Sequence, residues 1–399
     1  MSRKKTIAFL TIYPFNEDYA RKYGFRYLRE RGYRVVVLNL FHLFYGHLQK
    51  QRSHYDLLPP VCGVEQVPIK TKRALWEALN GLDGWEIVYM VLNPPFFLLR
   101  ILRRARVDYI VARHAVGPIY QPEKSVTWWW EKLRDLLLSP QRILSFLKRL
   151  IAQLPPALLG YSPPRFVTAL SPAGVKKRKN TQVICCHSFD YDRAQQNLDL
   201  ERPGYLPSED YLVLLANHPW GVHDAILLNL TRWISKEEYA EIINRFLDVV
   251  EEGTGKSVLI AAYPKATDDE NIYCGRPFVY DTEQLVKYSS GVIGHHTGAF
   301  NFAVIHNKPV CLISLRKLMA DKVFTYQNLA HSEALGASLS YIDTEEECRA
   351  LVQKGLFSHH PQCYETYRRR FLVSPYADGK QVWEAIADAL DGEWLRLHG

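Results

Sequence analysis

The clearest signal in the chain is a succession of short apolar runs separated by amphipathic stretches. Thr6 to Ile12 (TIAFLTI) is apolar on both faces and rich in β-branched residues, which predicts a buried strand of a parallel sheet. A loop follows at Tyr13-Pro14-Phe15-Asn16, and Asp18 to Arg31 carries a helical pattern that stops at Gly32. Arg34 to Leu40 (RVVVLNL) is the second buried run. Strand, helix and strand in this order open an α/β sheet with a right-handed crossover. Trp85 to Leu92 and Asp108 to Ala112 continue the strands, with a helix expected over Phe96 to Arg104 between them. Gln182 to His187 closes the first half.

The alternation breaks between residues 122 and 160. Trp128, Trp129 and Trp130 precede Leu133, Leu136 and Leu137, and Ser139-Pro140 interrupts the pattern. Beyond it, Ile143, Phe146, Leu147, Leu150 and Ile151 share one helical face, with Arg142, Lys148 and Arg149 off that face. Two ordinary packed helices would explain this. So would a basic, tryptophan-rich surface against a membrane or lipid-linked acceptor, because three consecutive tryptophans cannot all face one core.

A Pro/Gly-containing stretch from Arg193 to Asp210 reads as a linker, and a second alternation follows. Strands are expected at Tyr211 to Ala216, Ser257 to Ala262, Gly291 to Gly294, Pro309 to Ser314 and Ala337 to Ile342. Helices are expected at Glu237 to Glu252, Thr282 to Tyr288 and Ala299 to His306. The expected organisation is an N-terminal Rossmann-like domain over 1–200, a C-terminal one over 201–380, and a final helix over 381–399 packing back on the first. No internal period relates the halves.

Composition narrows the class. At 399 residues the chain suits two domains, and 47% hydrophobic with 23% charged residues is ordinary for a globular protein. No apolar run approaches the ~18 residues of a membrane span, and Val88 to Leu102 is broken by Asn93-Pro94-Pro95. The first apolar run is too short for a secretory signal, so cytoplasmic residence is the expectation, with the inner face of the plasma membrane as the place of any peripheral contact. The seven cysteines contain no CxxC spacing, which argues against a zinc site or a disulfide framework. The net charge of +8, from 50 basic and 42 acidic residues, fits nucleic acid, an anionic membrane or anionic substrates. No helix-turn-helix or RNP pattern and no long Lys/Arg run is present, so nucleic acid is not an expected partner.

The most informative stretch is Tyr288 to Ile313, YSSGVIGHHTGAFNFAVIHNKPVCLI. A short strand ends at Gly294-His295-His296-Thr297-Gly298, a helix opens at once, and Lys308-Pro309-Val310 starts the next strand. Small residues, a hydroxyl and a helix N-terminus together outline a phosphate-binding turn. An ordinary strand–helix turn with surface histidines is the plainer reading.

This run resembles the donor half of GT-B glycosyltransferases, and Ser257 to Arg276 (SVLIAAYPKATDDENIYCGR) resembles a second donor-side element. The resemblance covers about residues 210–315 by motif. It implies an α/β fold of two Rossmann-like domains facing across a cleft, and enzymes of bacterial surface-polysaccharide assembly, including users of CMP-activated sugars. It makes Tyr263, Pro264, Lys265, Arg276, His295, His296, Thr297 and Gly298 the expected donor-binding residues. Many bacterial members carry His-Pro where this chain has Tyr263-Pro264, so Lys265 and Arg276 are the candidates for the positive charge.

Two further polar clusters follow strands. His187-Ser188-Phe189-Asp190-Tyr191-Asp192 ends the first half, and Asn217-His218-Pro219-Trp220-Gly221-Val222-His223-Asp224 follows the first strand of the second. An inverting transferase needs a general base. Asp190, Asp192, Asp224 and His114 are the candidates, with His187, His218 and His223 as substrate contacts. A capping aspartate or a satisfied histidine explains any one of them alone. Glu251-Glu252-Gly253 is set aside as the end of a helix with Gly253 as its stop, and Asp268-Asp269-Glu270 as a solvated loop. The Asp190-Tyr191-Asp192 triplet is a weak match to a metal-holding DxD, so no metal and no cofactor beyond a nucleotide-sugar co-substrate is expected. The expected activity is metal-independent transfer from a CMP- or UDP-sugar to a polysaccharide or glycolipid acceptor. A sugar-nucleotide 2-epimerase, a polyol-phosphate transferase and a non-catalytic carbohydrate-binding protein are the alternatives.

Overall fold

The structure, a computed structural model, describes residues 5–12, 17–45, 61, 63–82, 85–91, 94–114, 117–120, 154–176, 178, 180–219, 234–262, 271–295 and 297–398. By its contacts the chain forms two units, one of residues 1–113, 121–186 and 376–399 and one of residues 114–120 and 187–375. Residues 187–200, grouped with the first half by sequence, therefore lie in the second unit. The Trp128–Trp130 cluster lies outside the described residues.

The first unit is built on β1 (Lys5–Thr11), β2 (Tyr33–Asn39), β3 (Glu65–Pro68), β4 (Trp85–Met90), β5 (Asp108–Ala112), β6 (Phe166–Ala169) and β7 (Gln182–Cys185). They form one parallel sheet in the order β3-β2-β1-β4-β5-β6-β7. β1 is flanked on both sides and covered on both faces, which is why its sequence is apolar without alternation. β3 at the sheet edge is half exposed and carries a correspondingly mixed sequence. The helix expected over Asp18 to Arg31 is two helices, Glu17–Lys22 and Phe25–Glu30, broken at Gly24. Gly24 takes a left-handed φ of 60°, and a Cβ there would lie 2.3 Å from Trp383 Cγ. Glycine is required on both counts.

Trp383 belongs to the Val382–His398 helix, which packs within this first unit. Its ring meets Phe9, Tyr23 and Tyr89 at centroid distances of 5.7, 6.3 and 5.1 Å, and its Nε1 donates to the Lys22 carbonyl at 2.9 Å. Ion pairs from Lys5 to Asp391 (2.8 Å) and from Arg31 to Asp388 (2.6 Å) fix the same helix.

In the second unit β8 (Tyr211–Leu215), β9 (Ser257–Ala261), β10 (Phe278–Val279), β11 (Gly291–Gly294), β12 (Val310–Ser314) and β13 (Leu339–Tyr341) form a parallel sheet ordered β10-β9-β8-β11-β12-β13. Hydrophobic clusters cover both faces. On one, the Lys236–Thr254 helix contributes Tyr239, Ile243, Phe246, Leu247 and Val250. This helix runs past Gly253, the stop expected from sequence, and ends at Gly255 with φ 65°. Gly253 serves close packing instead: a Cβ there would lie 2.4 Å from Val352 Cγ1. The stretch read as a linker begins as part of the Phe189–Gln196 helix and is held down beyond it. Lys287 Nζ donates to the carbonyls of Asn197 and Leu198 at 2.7 and 2.9 Å. Among the described residues no helix is long and apolar enough to cross a membrane.

Candidate functional site

The strand order of the second sheet reverses between β8 and β11, which are neighbours although 75 residues separate the end of one from the start of the other in sequence order β8, β9, β10, β11. Open α/β sheets bind ligands outside the carboxyl ends of the strands at such a point. Ala216, Asn217 and His218 leave β8 there, and His295, Thr297 and Gly298 leave β11. Gly294 permits the tight packing beneath: a Cβ would meet Leu215 Cβ and Phe300 Cζ, each at 3.2 Å.

His295 does not point outward. It is 2% exposed, and its Nε2 shares a 2.9 Å hydrogen bond with the Tyr239 hydroxyl from the Lys236–Thr254 helix. Burial lowers its pKa to about 4, against a partial opposing effect of the Ile313 backbone. Burial thus favours the neutral ring, and its Nε2 is committed to Tyr239. It anchors the turn. His218 is similar: it is 4% exposed, and burial, with Lys236 adding to it, lowers its pKa to about 4.

The turn itself is small and partly open. Thr297 Oγ1 accepts from the Ala299 amide at 3.3 Å, which leaves its hydroxyl proton to donate elsewhere. Gly298 is exposed, with nothing within 4 Å of a Cβ built on it. The amides of Phe300, Asn301 and Phe302 donate to the carbonyls of Thr297, Gly298 and Ala299 at 3.3, 3.0 and 3.1 Å. The free helix-terminal N–H groups expected here are thus partly consumed by a tight first turn. From below, His331 of the Lys322–Leu335 helix packs on Phe300 at a 5.9 Å centroid distance. Its pKa is lowered by burial, with the Gln327 and Thr297 backbones opposing.

Asp190 meets this turn's helix. Ser188 caps the Phe189–Gln196 helix by accepting from the Tyr191 amide at 3.2 Å, which sets Asp190 in its first turn. Asp190 Oδ2 accepts from Asn301 Nδ2 at 2.7 Å, and Asn301 Oδ1 accepts from the Tyr367 hydroxyl at 2.8 Å. Tyr367 is 1% exposed, and burial followed by the nearby Asp190 raises its pKa. Sequence reasoning named Asp190 but missed Asn301 and Tyr367. Asn301 had a usable signal, as the one amide in an otherwise apolar helix; Tyr367 had none.

Asp192 is buried and lies two residues on, so the helix turns it about 200° away from Asp190. The Asp190-Tyr191-Asp192 triplet therefore does not present both carboxylates to one ion. His187 is half buried; its Nδ1 accepts from the Ser374 amide at 3.0 Å, its ring lies 4.9 Å from that of Tyr191, and burial lowers its pKa. That bond places the proton of the neutral ring on Nε2. His114, another candidate base, is fully buried with its ring edge-on to Phe189 at 4.5 Å.

Arg276, expected at the donor phosphate, is held by the Lys236–Thr254 helix. Its guanidinium reaches Asp248 at 2.6 Å, Glu251 at 2.7 Å and Asn244 at 3.1 Å, and its side chain is 9% exposed. Two carboxylates already compensate its charge, and it clamps its loop to the Lys236–Thr254 helix. Glu251, set aside as a motif residue, is half of this clamp. Tyr263, Pro264, Lys265, His296, His223 and Asp224 lie outside the described residues.

The helix carrying Asn301 is tied at its other end. His306 donates to Glu283 at 2.6 Å, and Glu283, fully buried, also accepts from Asn197 and Gln284 at 2.7 Å each. Burial alone would raise the Glu283 carboxyl; the bonds from His306, Asn197 and Gln284 outweigh it and hold its pKa below the usual range.

The structure is similar to that of the calicheamicin glycosyltransferase CalG4, with a TM-score of 0.55, 12% identity and 100% of both chains covered. It is similar to the wall teichoic acid polymerase TagF, with a TM-score of 0.54 and 14% identity over 100% of this chain and 91% of that one. The spinosyn forosaminyltransferase SpnP gives 0.50 and 12% over 97% and 98%. No protein-family profile matches the sequence, and no curated protein matches it. At these identities the likeness is one of fold. The chain has the α/β architecture of GT-B glycosyltransferases, with two Rossmann-like units as the sequence led us to expect.

Proposed function

We propose that this chain, with its GT-B fold, is a glycosyltransferase that moves a sugar from a nucleotide-activated donor to a polysaccharide or glycolipid acceptor. The observation that carries the reading is the bonding of Asp190 to Asn301, one turn beyond the Thr297-Gly298 turn at the reversal of the second sheet. A donor phosphate at that turn and a carboxylate for the acceptor hydroxyl would then be held by one short helix.

In the reaction, the acceptor oxygen attacks the anomeric carbon of the donor sugar while the bond to the nucleotide phosphate breaks. Asp190, with Oδ2 engaged by Asn301, takes the hydroxyl proton on Oδ1. The Thr297 hydroxyl donates to the leaving phosphate, and Gly298 lets it approach the backbone. His295 and His331 act from beneath by fixing the turn. Attack opposite the leaving group makes the transfer inverting. The charge on the leaving group is met by hydrogen-bond donors, without a requirement for a divalent metal. The donor would be a CMP- or UDP-sugar, and the enzyme would work in the cytoplasm, where such donors are available.

The test is calorimetric titration with CMP, CDP, UDP, GDP and their sugars, followed by turnover of whichever donor binds. Asp190→Asn should retain donor affinity and lose about 10²–10⁴-fold in kcat. Failure of every nucleotide to bind would remove the donor site, and a fully active Asp190→Asn would remove the base.

A further inference from the structure

The first unit carries a basic face that the reading above does not use. The Phe96–Ala105 helix turns Arg100, Arg103 and Arg104 to one side, at the i, i+3, i+4 spacing of a single face, and Arg106 follows as its left-handed cap with φ 56°. All four are exposed. Among the described residues no carboxylate pairs with any of them. Arg100 Nε donates to the Leu159 carbonyl at 2.9 Å, which holds the 154–161 segment against this helix. That segment turns Leu154 and Leu158 outward, 44% and 74% exposed.

The helix ends where β5, β6 and β7 begin, and the same edge continues the charge. Arg165 precedes β6, Arg178 precedes β7, and Arg396 reaches in from the last helix. Arg165 and Arg396 share the one carboxylate of Glu393, so the pair retains a net positive charge. They line an open cavity of about 650 Å³ with Asn180, Thr181 and Gln182. Asp108 is a further acidic group near Arg165 and Glu393.

We infer that this face binds an anionic lipid surface. Two exposed leucines beside arginines that no described carboxylate pairs suit a bilayer interface, which takes up apolar side chains between headgroup phosphates. A nucleic acid would use the arginines but gains nothing from Leu158. The arginine–asparagine cavity is large enough for a lipid headgroup phosphate. The inference stands apart from the donor-site reading, since every residue in it lies in the first unit.

The experiment is co-sedimentation of the full chain with phosphatidylcholine vesicles, with and without phosphatidylglycerol. Binding is expected with phosphatidylglycerol only, and it should weaken as salt is added. Each basic residue near such a surface strengthens binding about fivefold, so Arg103→Glu with Arg104→Glu should weaken it by at least about twenty-five-fold. Leu158→Asp should weaken it less but also at high salt. Arg26→Glu, at an exposed arginine paired with Glu30, should leave it unchanged. Equal binding to both vesicles, no binding, undiminished binding by the arginine variant, or retention on single-stranded RNA but not on vesicles would each overturn the inference. All substituted positions are exposed, and an unchanged circular dichroism melting curve guards against misfolding.

Discussion

Replacing Asn301 by alanine cuts both bonds of the bridge between Asp190 and Tyr367. The Tyr367 hydroxyl loses its acceptor at 2.8 Å while remaining 1% exposed, and the Asp190 carboxylate loses a donor at 2.7 Å. A stranded buried donor costs about 1–3 kcal/mol, and a hydrogen bond to a charged group is worth about 1.5–3 kcal/mol. Asn301→Ala should therefore destabilise the second unit by roughly 2–4 kcal/mol, allowing for the partial exposure of Asp190. Tyr367→Phe removes the donor without stranding it and should cost about 0.5–1.5 kcal/mol. The double variant should then fall short of the sum by about 1 kcal/mol, because no hydroxyl is left unpaired. Since two units need not unfold together, the readout is native-state hydrogen exchange at residues 300–305 and 361–372 rather than a single melting transition. Strict additivity would show that Asn301 does not bridge the two groups. If Asp190 is also the base, Asn301→Ala should lower kcat while leaving donor affinity near that of the parent.

His218 and His295 both have folded pKa values of about 4, against 6.5 for a free imidazole, so the fold prefers their neutral forms. Their contribution is complete above pH 6.5 and is lost as the pH falls toward 4, on the order of 3 kcal/mol each; a melting temperature of the second unit that does not fall across that window would contradict their burial. Arg276→Met should destabilise by roughly 2 kcal/mol, because it leaves Asp248 and Glu251 uncompensated, and nucleotide affinity should not change. A loss of affinity without a loss of stability would restore Arg276 to the donor site. Trp383→Ala, at a side chain enclosed by Phe9, Tyr23 and Tyr89, should cost about 3–5 kcal/mol in the first unit, read as faster exchange in β1 and β4.

The central strands were legible because burial on both faces leaves no room for polar residues. β1, β2, β8 and β12 are of this kind, and their apolar runs mark them within a residue or two. β3 and β10 were not: each lies at a sheet edge, and the second is two residues long. β6 is buried throughout but spans four residues, too few for a periodic signal. Gly24 and Gly253 make room for Trp383 and Val352, side chains far along the chain.

The site divides in the same way. The strand–turn–helix around His295 to Gly298 could be read locally, because a turn between β11 and its helix is a local object. The direction of the His295 ring could not, since Tyr239 lies 56 residues upstream. Arg276 looked available for a phosphate because sequence shows a charge without its partners, which come from a helix turn 25 residues earlier. Asp190 was legible as a polar residue after a strand, and its bond to Asn301, 111 residues on, was not.

The position of Trp383 bears on how the protein is made. All seven strands of the first sheet leave the ribosome before residues 187–375 of the second unit are synthesised, yet the aromatic cluster of Phe9, Tyr23 and Tyr89 is completed by a residue translated after them. Lys5 and Arg31 likewise wait for Asp391 and Asp388. The unit begun first is thus finished last, and the second unit, which needs nothing beyond residue 375, can settle in the interval. A premature stop between 376 and 398 would leave a folded second unit joined to a first unit with an open apolar seam, which is the form that chaperones and proteases recognise.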